Sequence, residues 1–304
     1  MRIVVFGAGA MGSWLGALLH EAGHDVTLVA RREHSVVMRE HGLLVTGKTQ
    51  IAARPKVVSR AADAPVPELL VLAVKAYDTK HAVQDAAPLL GARTDVLSFQ
   101  NGLGNVEAIA DVVDERRVFA GVTTHGVTLV EPGHVEHAGV GYFRVGSPFG
   151  EHARARAIAD ALRETGLEIE ATERIAGEVW AKVIVNASIN PITAITGLRN
   201  GALLMVPALR ELMQRVVEEA IDVARADDAP LPDEDLLVRA RKVAELTASN
   251  KSSMLQDVER GRATEIDAIC GEIVQRGARH GVDTPVNLAL RALVKGVEES
   301  TRRG

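Results

Sequence analysis

The chain opens on a short apolar run rich in β-branched side chains, Arg2-Ile3-Val4-Val5-Phe6, the pattern of a strand buried on both faces. A glycine-rich turn, Gly7 to Gly12, follows at once. From Ser13 to His20 the apolar residues then recur at helical spacing. Further apolar runs at 25–30, 68–74, 94–99 and 118–123 read as strands, with a small β excursion at 43–45 and 51–53 around Gly47. Between Gly126 and Gly146 the pattern shortens and alternates around Pro132-Gly133 and Gly139, which predicts antiparallel hairpins extending the sheet edge. A helix at 153–165 and an edge strand at 167–172 complete this half. From Arg174 onward every periodic segment is helical, with a loop at 227–233 and a last helix opening at Thr284-Pro285. Residues 301–304 are expected to fray. These patterns divide the chain into an α/β domain, 1–172, and an all-helical domain, 173–304. No Gly/Ser/Pro-rich linker separates them, so a firm interface is expected.

Composition narrows the class. With 304 residues, 47% of them hydrophobic, the chain can build two full cores, packed mainly by Ala, Val, Leu and Ile because aromatics are only 3%. A formal net charge of −5 gives no basic face for nucleic acid. The lone cysteine, Cys270, can form no intrachain disulfide and reads as a small core residue. No signal segment or apolar run of membrane-spanning length is present, so a cytoplasmic protein that binds no membrane is expected. His125, His134 and His137 lack acidic or cysteine partners at ligand spacing. They read as turn or surface histidines, with no metal site.

Three constellations carry candidate chemistry. Gly7, Ala8, Gly9, Ala10, Met11 and Gly12 form a G-x-G-x-x-G between a strand and a helix, the context in which this motif binds a dinucleotide pyrophosphate. Arg31, just after the second strand, can pair with an adenosine 2′-phosphate, which favours NADP(H); solvated loop arginines are the alternative. Lys75 and Asn101 follow the carboxyl ends of later strands, where open α/β sheets bind ligands, although Asn101 also suits a plain turn. In the helical half Lys182, Asn186 and Asn190 are spaced i, i+4, i+8 and share one face of a helix that is otherwise apolar. Such a stripe needs polar partners, from a ligand or from a structural carboxylate. Pro191 is expected to end or kink this helix. Ser253 and Glu265 lie in a second polar stretch, where Ser253 could equally cap a helix and Glu265 lie on a solvated face.

Taken in order, G-A-G-A-M-G, V-K-A-Y, Q-N-G-L-G-N, W-A-K-V-I-V-N-A-S-I-N-P-I-T-A-I, S-S-M-L-Q-D-V and T-E-I-D resemble the ketopantoate reductase (2-dehydropantoate 2-reductase) family over nearly the whole chain. The resemblance implies a Rossmann domain followed by an all-helical domain of the 6-phosphogluconate dehydrogenase C-terminal kind. It implies NADPH-dependent reduction of 2-dehydropantoate to pantoate, a step toward coenzyme A, in a cleft. It implies Lys182 and Glu265 as catalytic, and Asn101, Asn186, Asn190 and Ser253 as substrate-binding. Arg31 and Lys75 would hold the 2′-phosphate, with Asn101 and Glu265 also against the cofactor. Lys182 would stabilise charge on the carbonyl oxygen and deliver its proton. A reductase of another branched or aromatic 2-oxo acid remains open, as does a non-catalytic NADP-binding protein. The apolar helical domain favours a homodimer.

Overall fold

In a computed structural model, described over residues 1–303 and without the side chains of Arg32, Arg302 and Arg303, the chain forms two compact units. One comprises residues 1–100 and 105–175. The other takes Asn101–Gly104 together with the chain from Ala176 onward, so four residues next to a strand end belong with the helices.

The first unit contains strands β1 (Arg2–Phe6), β2 (Asp25–Val29), β3 (Leu43–Gly47), β4 (Ile51–Ala53), β5 (Lys56–Val58), β6 (Leu69–Leu72), β7 (Asp95–Ser98), β8 (Val118–Thr123), β9 (Gly126–Glu131), β10 (His134–Gly139), β11 (Phe143–Gly146) and β12 (Ile169–Ala171). Its helices are α1 (Ala10–Glu21), α2 (Arg32–His41), α3 (Thr79–Ala86), α4 (Asn105–Ala110) and α5 (His152–Arg163). Eight strands form one sheet in the order β12-β11-β8-β7-β6-β1-β2-β5. From β5 to β8 all neighbours are parallel, so β1 lies at the point where the chain winds out in both directions, the doubly wound arrangement that places ligands at strand carboxyl ends. Residues of β6 are buried without exception, as a strand covered on both faces requires.

The 126–146 region departs from the expected sheet extension. The hairpin of β9 and β10 leaves the large sheet and pairs in parallel with β3, making a four-stranded sheet β4-β3-β10-β9. Only β11 joins the large sheet, antiparallel to β8. Alternation explains this: β10 buries Val135 and His137 but exposes Glu136, and β3 buries Leu43 and Val45 but exposes Leu44. Strands with one buried face suit a small sheet laid on α1, not the core of a covered one. Strand β5 and helix α2 have no counterpart in the sequence pattern.

The second unit contains α6 (Ile175–Thr196), whose first residue still belongs to the other unit, then α7 (Ala202–Met205), α8 (Pro207–Ala226), α9 (Leu236–Leu246), α10 (Ser253–Glu259), a π-turn at Asp267–Gly271, α11 (Glu272–His280) and α12 (Pro285–Arg303). Pro191 does not end α6. It removes only its own N–H, while Thr193 and Thr196 bond back to Asn190 O (2.9 Å) and Ile192 O (2.7 Å) and Ile192, Thr193 and Ala194 are buried, so packing outweighs the lost bond. Likewise α12 stays helical to Arg303, beyond the expected fraying point, and Gly304 lies outside the described residues.

His125 and His137 are core residues rather than turn or surface ones. Both rings pack on Trp14 with centroids 4.9 Å away, and His125 Nδ1 lies 3.0 Å from His137 Nε2. Gly141 N–H donates to His125 Nδ1 (3.2 Å), and His137 Nε2 lies 2.9 Å from Gly139 O. Among the described residues no group of three or more His, Cys, Asp or Glu could hold a metal ion. Burial, with His137 adding to it, pushes His125 down to about 4, and burial lowers His137 as well. The folded state therefore holds fewer protons than the unfolded chain between pH 6.5 and about 4, and stability falls as pH drops through that window. Urea unfolding at pH 7 and pH 4.5 should show the midpoint fall, and His125→Gln should make that fall shallower by about 1–3 kcal/mol.

Candidate active site

In the first unit the glycine turn is built for close approach. Gly7 has φ +102°, and a Cβ there would lie 2.6 Å from Val74 N. A Cβ on Gly12 would lie 2.3 Å from Gly7 O, so only glycine lets α1 start against the turn. Gly9 differs: nothing lies within 4 Å of the corresponding position, and the residue is exposed. Helix α1 begins at Ala10 with no side-chain cap and no acidic residue in its first turn. The first-turn N–H groups of α1 thus have no side-chain cap at the positive helix end, the space beside Gly9 is open, and Ala8 is buried. These features fit a pyrophosphate, which needs donors, positive potential and no intervening Cβ.

Arg31 follows the carboxyl end of β2 as the residue preceding α2, exposed, with its Nη2 donating to Asp85 Oδ2 of α3 (3.0 Å). A phosphate can be recruited there only in competition with Asp85. Lys75 lies half-buried beyond the carboxyl end of β6 and leads into a 3₁₀ turn at Ala76–Asp78. Gln100, which residue type and spacing alone do not single out, ties these ends together. Its Nε2 donates to Val74 O (3.0 Å) and Thr79 Oγ1 (2.6 Å).

In the second unit α6 carries Lys182, Asn186 and Asn190 at successive turns. Asn190 is buried, while Lys182 and Asn186 keep part of their surface open. Val183, Ile184, Ala187 and Ile189 around them belong to the helical core. Burial lowers the Lys182 amine from 10.5 to about 8, and the Glu265 carboxylate acts in the opposite direction, favouring the ammonium. Glu265 is only 6% exposed. It accepts from Asn101 Nδ2 at 3.2 Å, so Asn101, Lys182 and Glu265 form one cluster.

The loop behind Asn101 explains its place. Gly102 has φ +91°, and a Cβ there would lie 2.6 Å from Ala268 Cβ. Leu103 N–H donates to Ala268 O (2.9 Å), and its side chain is buried in the helical core. The loop is thereby fixed on the π-turn that follows Glu265; such turns recur at functional sites. The serine pair separates. Ser252, not Ser253, caps α10, accepting from Leu255 N–H (3.1 Å) in extended backbone geometry, and its hydroxyl lies 2.7 Å from Thr193 Oγ1. Ser253 is exposed at the first position of α10. Cys270, in the π-turn, is fully buried and its thiol is pushed up by burial, which makes it inert.

A doubly wound sheet with an open glycine turn, combined with a helical unit bearing a buried amine, carboxylate and amides, defines the class: an NAD(P)-dependent oxidoreductase. The family described as "Ketopantoate reductase PanE/ApbA" matches residues 3–149, and its C-terminal counterpart matches residues 174–298, so the chain belongs to the ketopantoate reductase family. It is similar to the 2-dehydropantoate 2-reductase of Archaeoglobus fulgidus (41% identity, 98% of each chain covered) and to that of Pyrococcus horikoshii (38%, 98% of each). Among solved structures it is similar to a D-mandelate dehydrogenase with NADH and anilino(oxo)acetate (TM-score 0.94, 29% identity, 99% of each chain). It is also similar to a PanE/ApbA family ketopantoate reductase from Ralstonia eutropha JMP134 (0.92, 32%, 99% of this chain and 100% of that one). No described helix is long and apolar enough to cross a membrane.

The cluster's electrostatics can be tested without substrate. Competitive amine labelling across pH, read by mass spectrometry, should give Lys182 an apparent pKa near 8. Glu265→Gln should move it lower, because desolvation then acts unopposed. An unchanged value would mean that the carboxylate does not sense the amine.

Proposed function

We propose that the protein reduces 2-dehydropantoate to pantoate with NADPH. The observation that carries this reading is the Lys182 amine, acidified by burial and favoured in its charged form by Glu265. NADPH, when bound, supplies the hydride that the carbonyl carbon accepts. As that carbon becomes tetrahedral, its π pair moves to oxygen, and the Lys182 ammonium stabilises the negative charge by hydrogen bonding. The same ammonium then gives up a proton, leaving a hydroxyl and a neutral amine that recovers its proton from solvent. With a pKa near 8 the group is mostly charged at neutral pH, yet a far better proton donor than an ordinary lysine. Glu265 keeps it protonated and oriented, and Asn101 holds Glu265. Asn186 and Asn190, on the lysine's face, supply neutral donors for the substrate's carboxylate and hydroxyl, as does Ser253. Glu265 and Asn101 also line the nicotinamide end, while Gly7 to Gly12 bind the pyrophosphate and Arg31 with Lys75 the 2′-phosphate.

The domain division follows the same logic, with residues 1–172 binding cofactor and 173–304 carrying the acid. A cytoplasmic enzyme that acts as a homodimer fits the reading. The likeness to a D-mandelate dehydrogenase favours a second reading, reduction of another branched or aromatic 2-oxo acid on the same lysine. NADPH oxidation followed against 2-dehydropantoate and a panel of such acids decides between them by kcat/KM.

Replacing Lys182 by Ala should leave NADPH binding intact and lower kcat by about 10²–10³, the usual cost of one oxyanion donor; retention of kcat within about tenfold would remove Lys182 as the acid. Arg31→Ala should raise KM for NADPH well above that for NADH, since only NADPH carries the 2′-phosphate. An equal effect on both cofactors would remove that assignment.

A further inference from the structure

Glu265 is a buried carboxylate on an irregular stretch of backbone. It precedes a π-turn rather than lying within an α-helix, and locally its carbonyl accepts from Ile269 N–H (3.1 Å) while Ile266 N–H donates to Thr264 Oγ1 (3.3 Å). A further, long-range hold comes from α12. Glu298, 6% exposed, accepts at one oxygen from both the backbone N–H (2.7 Å) and the hydroxyl (2.6 Å) of Thr264, the residue before Glu265. Its other oxygen accepts from Lys295 (3.3 Å), which also bonds Asp267 Oδ2 (2.6 Å), two residues after Glu265. Arg291 holds the remaining Asp267 oxygen (2.8 Å). Residues 291, 295 and 298 recur at helical spacing, so one face of α12 holds the Thr264 backbone before Glu265 and the Asp267 side chain after it.

We infer that Glu298 is a positioning residue for the reaction: by clamping Thr264 it sets where the Glu265 carboxylate stands against Asn101 and the Lys182 amine. Resting on the catalytic reading of Lys182 and Glu265 above, the inference extends it to a residue that touches neither substrate nor cofactor. A doubly used buried acceptor is an expensive arrangement, because the carboxylate must be kept satisfied. A merely structural tie between α12 and the core could have been apolar. Asp267 is half in solvent and its ion pairs with Arg291 and Lys295 contribute little by themselves, so the burden falls on Glu298.

Glu298→Ala and Glu298→Gln would be compared with wild type as full-length enzyme, measuring kcat, KM, NADPH affinity by fluorescence and the pH profile of kcat. Glu298→Ala is expected to lower kcat by about tenfold or more, as displacement of a supporting group does. NADPH affinity should stay within about twofold. The basic limb of the profile should move to lower pH, because an amine less well served by Glu265 loses its proton more easily. Glu298→Gln keeps an oxygen for Thr264 and should restore most of kcat and the limb. A purely structural role would lower the melting temperature without moving the limb. An unchanged limb with near-normal kcat in folded Glu298→Ala overturns the inference. Should that variant not fold, Thr264→Ser, which keeps the hydroxyl that donates to Glu298 and accepts from Ile266 N–H (3.3 Å), serves as the control for Thr264→Val, which removes both, and the pair decides on the same two readouts. Glu265→Ala run in parallel separates the failures: if it keeps wild-type kcat the catalytic reading has failed, whereas if it loses activity and Glu298→Ala does not, only the positioning role has.

Discussion

Keeping an ammonium charged within a protein is the constraint from which the helical unit's irregularities follow. Helix α6 is apolar almost all round, and Val183, Ile184 and Ala187 beside Lys182 are buried. Desolvation of a cation in such surroundings costs several kcal/mol unless an opposite charge and hydrogen bonds offset it. Glu265 offsets it, but a buried carboxylate carries the same liability and needs a donor of its own. Asn101 supplies one. For that amide to reach Glu265, the chain must turn sharply at Gly102 and anchor at Leu103, whose N–H and side chain are both taken up by the helical unit. The left-handed glycine and the assignment of four residues next to a strand end to the helical unit thus trace back to one desolvated amine.

The first unit solves the opposite problem, making room for a strong anion. Its glycines divide the labour by what their missing Cβ would strike. At Gly7 and Gly12 it would strike protein backbone; at Gly9 it would strike nothing, which leaves that space to a ligand. The uncapped start of α1 then faces it with donors that a side chain would otherwise have satisfied. Arg31 shows the limit of such preparation. It is exposed and engaged by Asp85, and an exposed ion pair of this kind is weak, so under the proposed assignment a phosphate bearing two charges would outcompete it where a ribose hydroxyl would not.

Much of this is legible from residue order because it depends on local pattern. The strand, glycine turn and first helix are contiguous, and the i, i+4, i+8 stripe of Lys182, Asn186 and Asn190 needs only helical geometry. What stays hidden depends on partners far apart in sequence. Nothing near Gly126 announces that β10 will pair with β3 rather than with the large sheet, since a half-buried strand can join either. His125 and His137 read as turn residues because their burial is provided by Trp14, from a distant part of the sequence. The expected helix end at Pro191 fails for the same reason: the local penalty is real, but the buried residues after it continue the helix. The choice of Ser252 over Ser253 as cap turns on which backbone is extended, a difference of one residue that composition does not encode. Glu298 lies 34 positions from Thr264, and on α12 it has the look of one more charge on a solvated helix.

The neighbours of Lys182 also explain why the cluster has so few charges. A single carboxylate, partly committed to Asn101, restores the ammonium against desolvation without returning its pKa to 10.5. A second carboxylate at position 186 or 190 would stand on the same helix face. It would pull the amine back toward an ordinary lysine, and in the proposed reaction it would weaken the proton donor and repel the anionic oxo acid. Asparagine at both positions avoids this, because an amide can donate to a carboxylate or accept from a hydroxyl while adding no net charge. Arginine in place of the lysine would fail differently, since a guanidinium stays protonated when buried and could bind the oxyanion but not neutralise it with a proton. The combination of one lysine, one buried acid and flanking amides is therefore more restrictive than an oxyanion site alone demands, and in the proposed reaction what it would add is proton transfer near neutral pH.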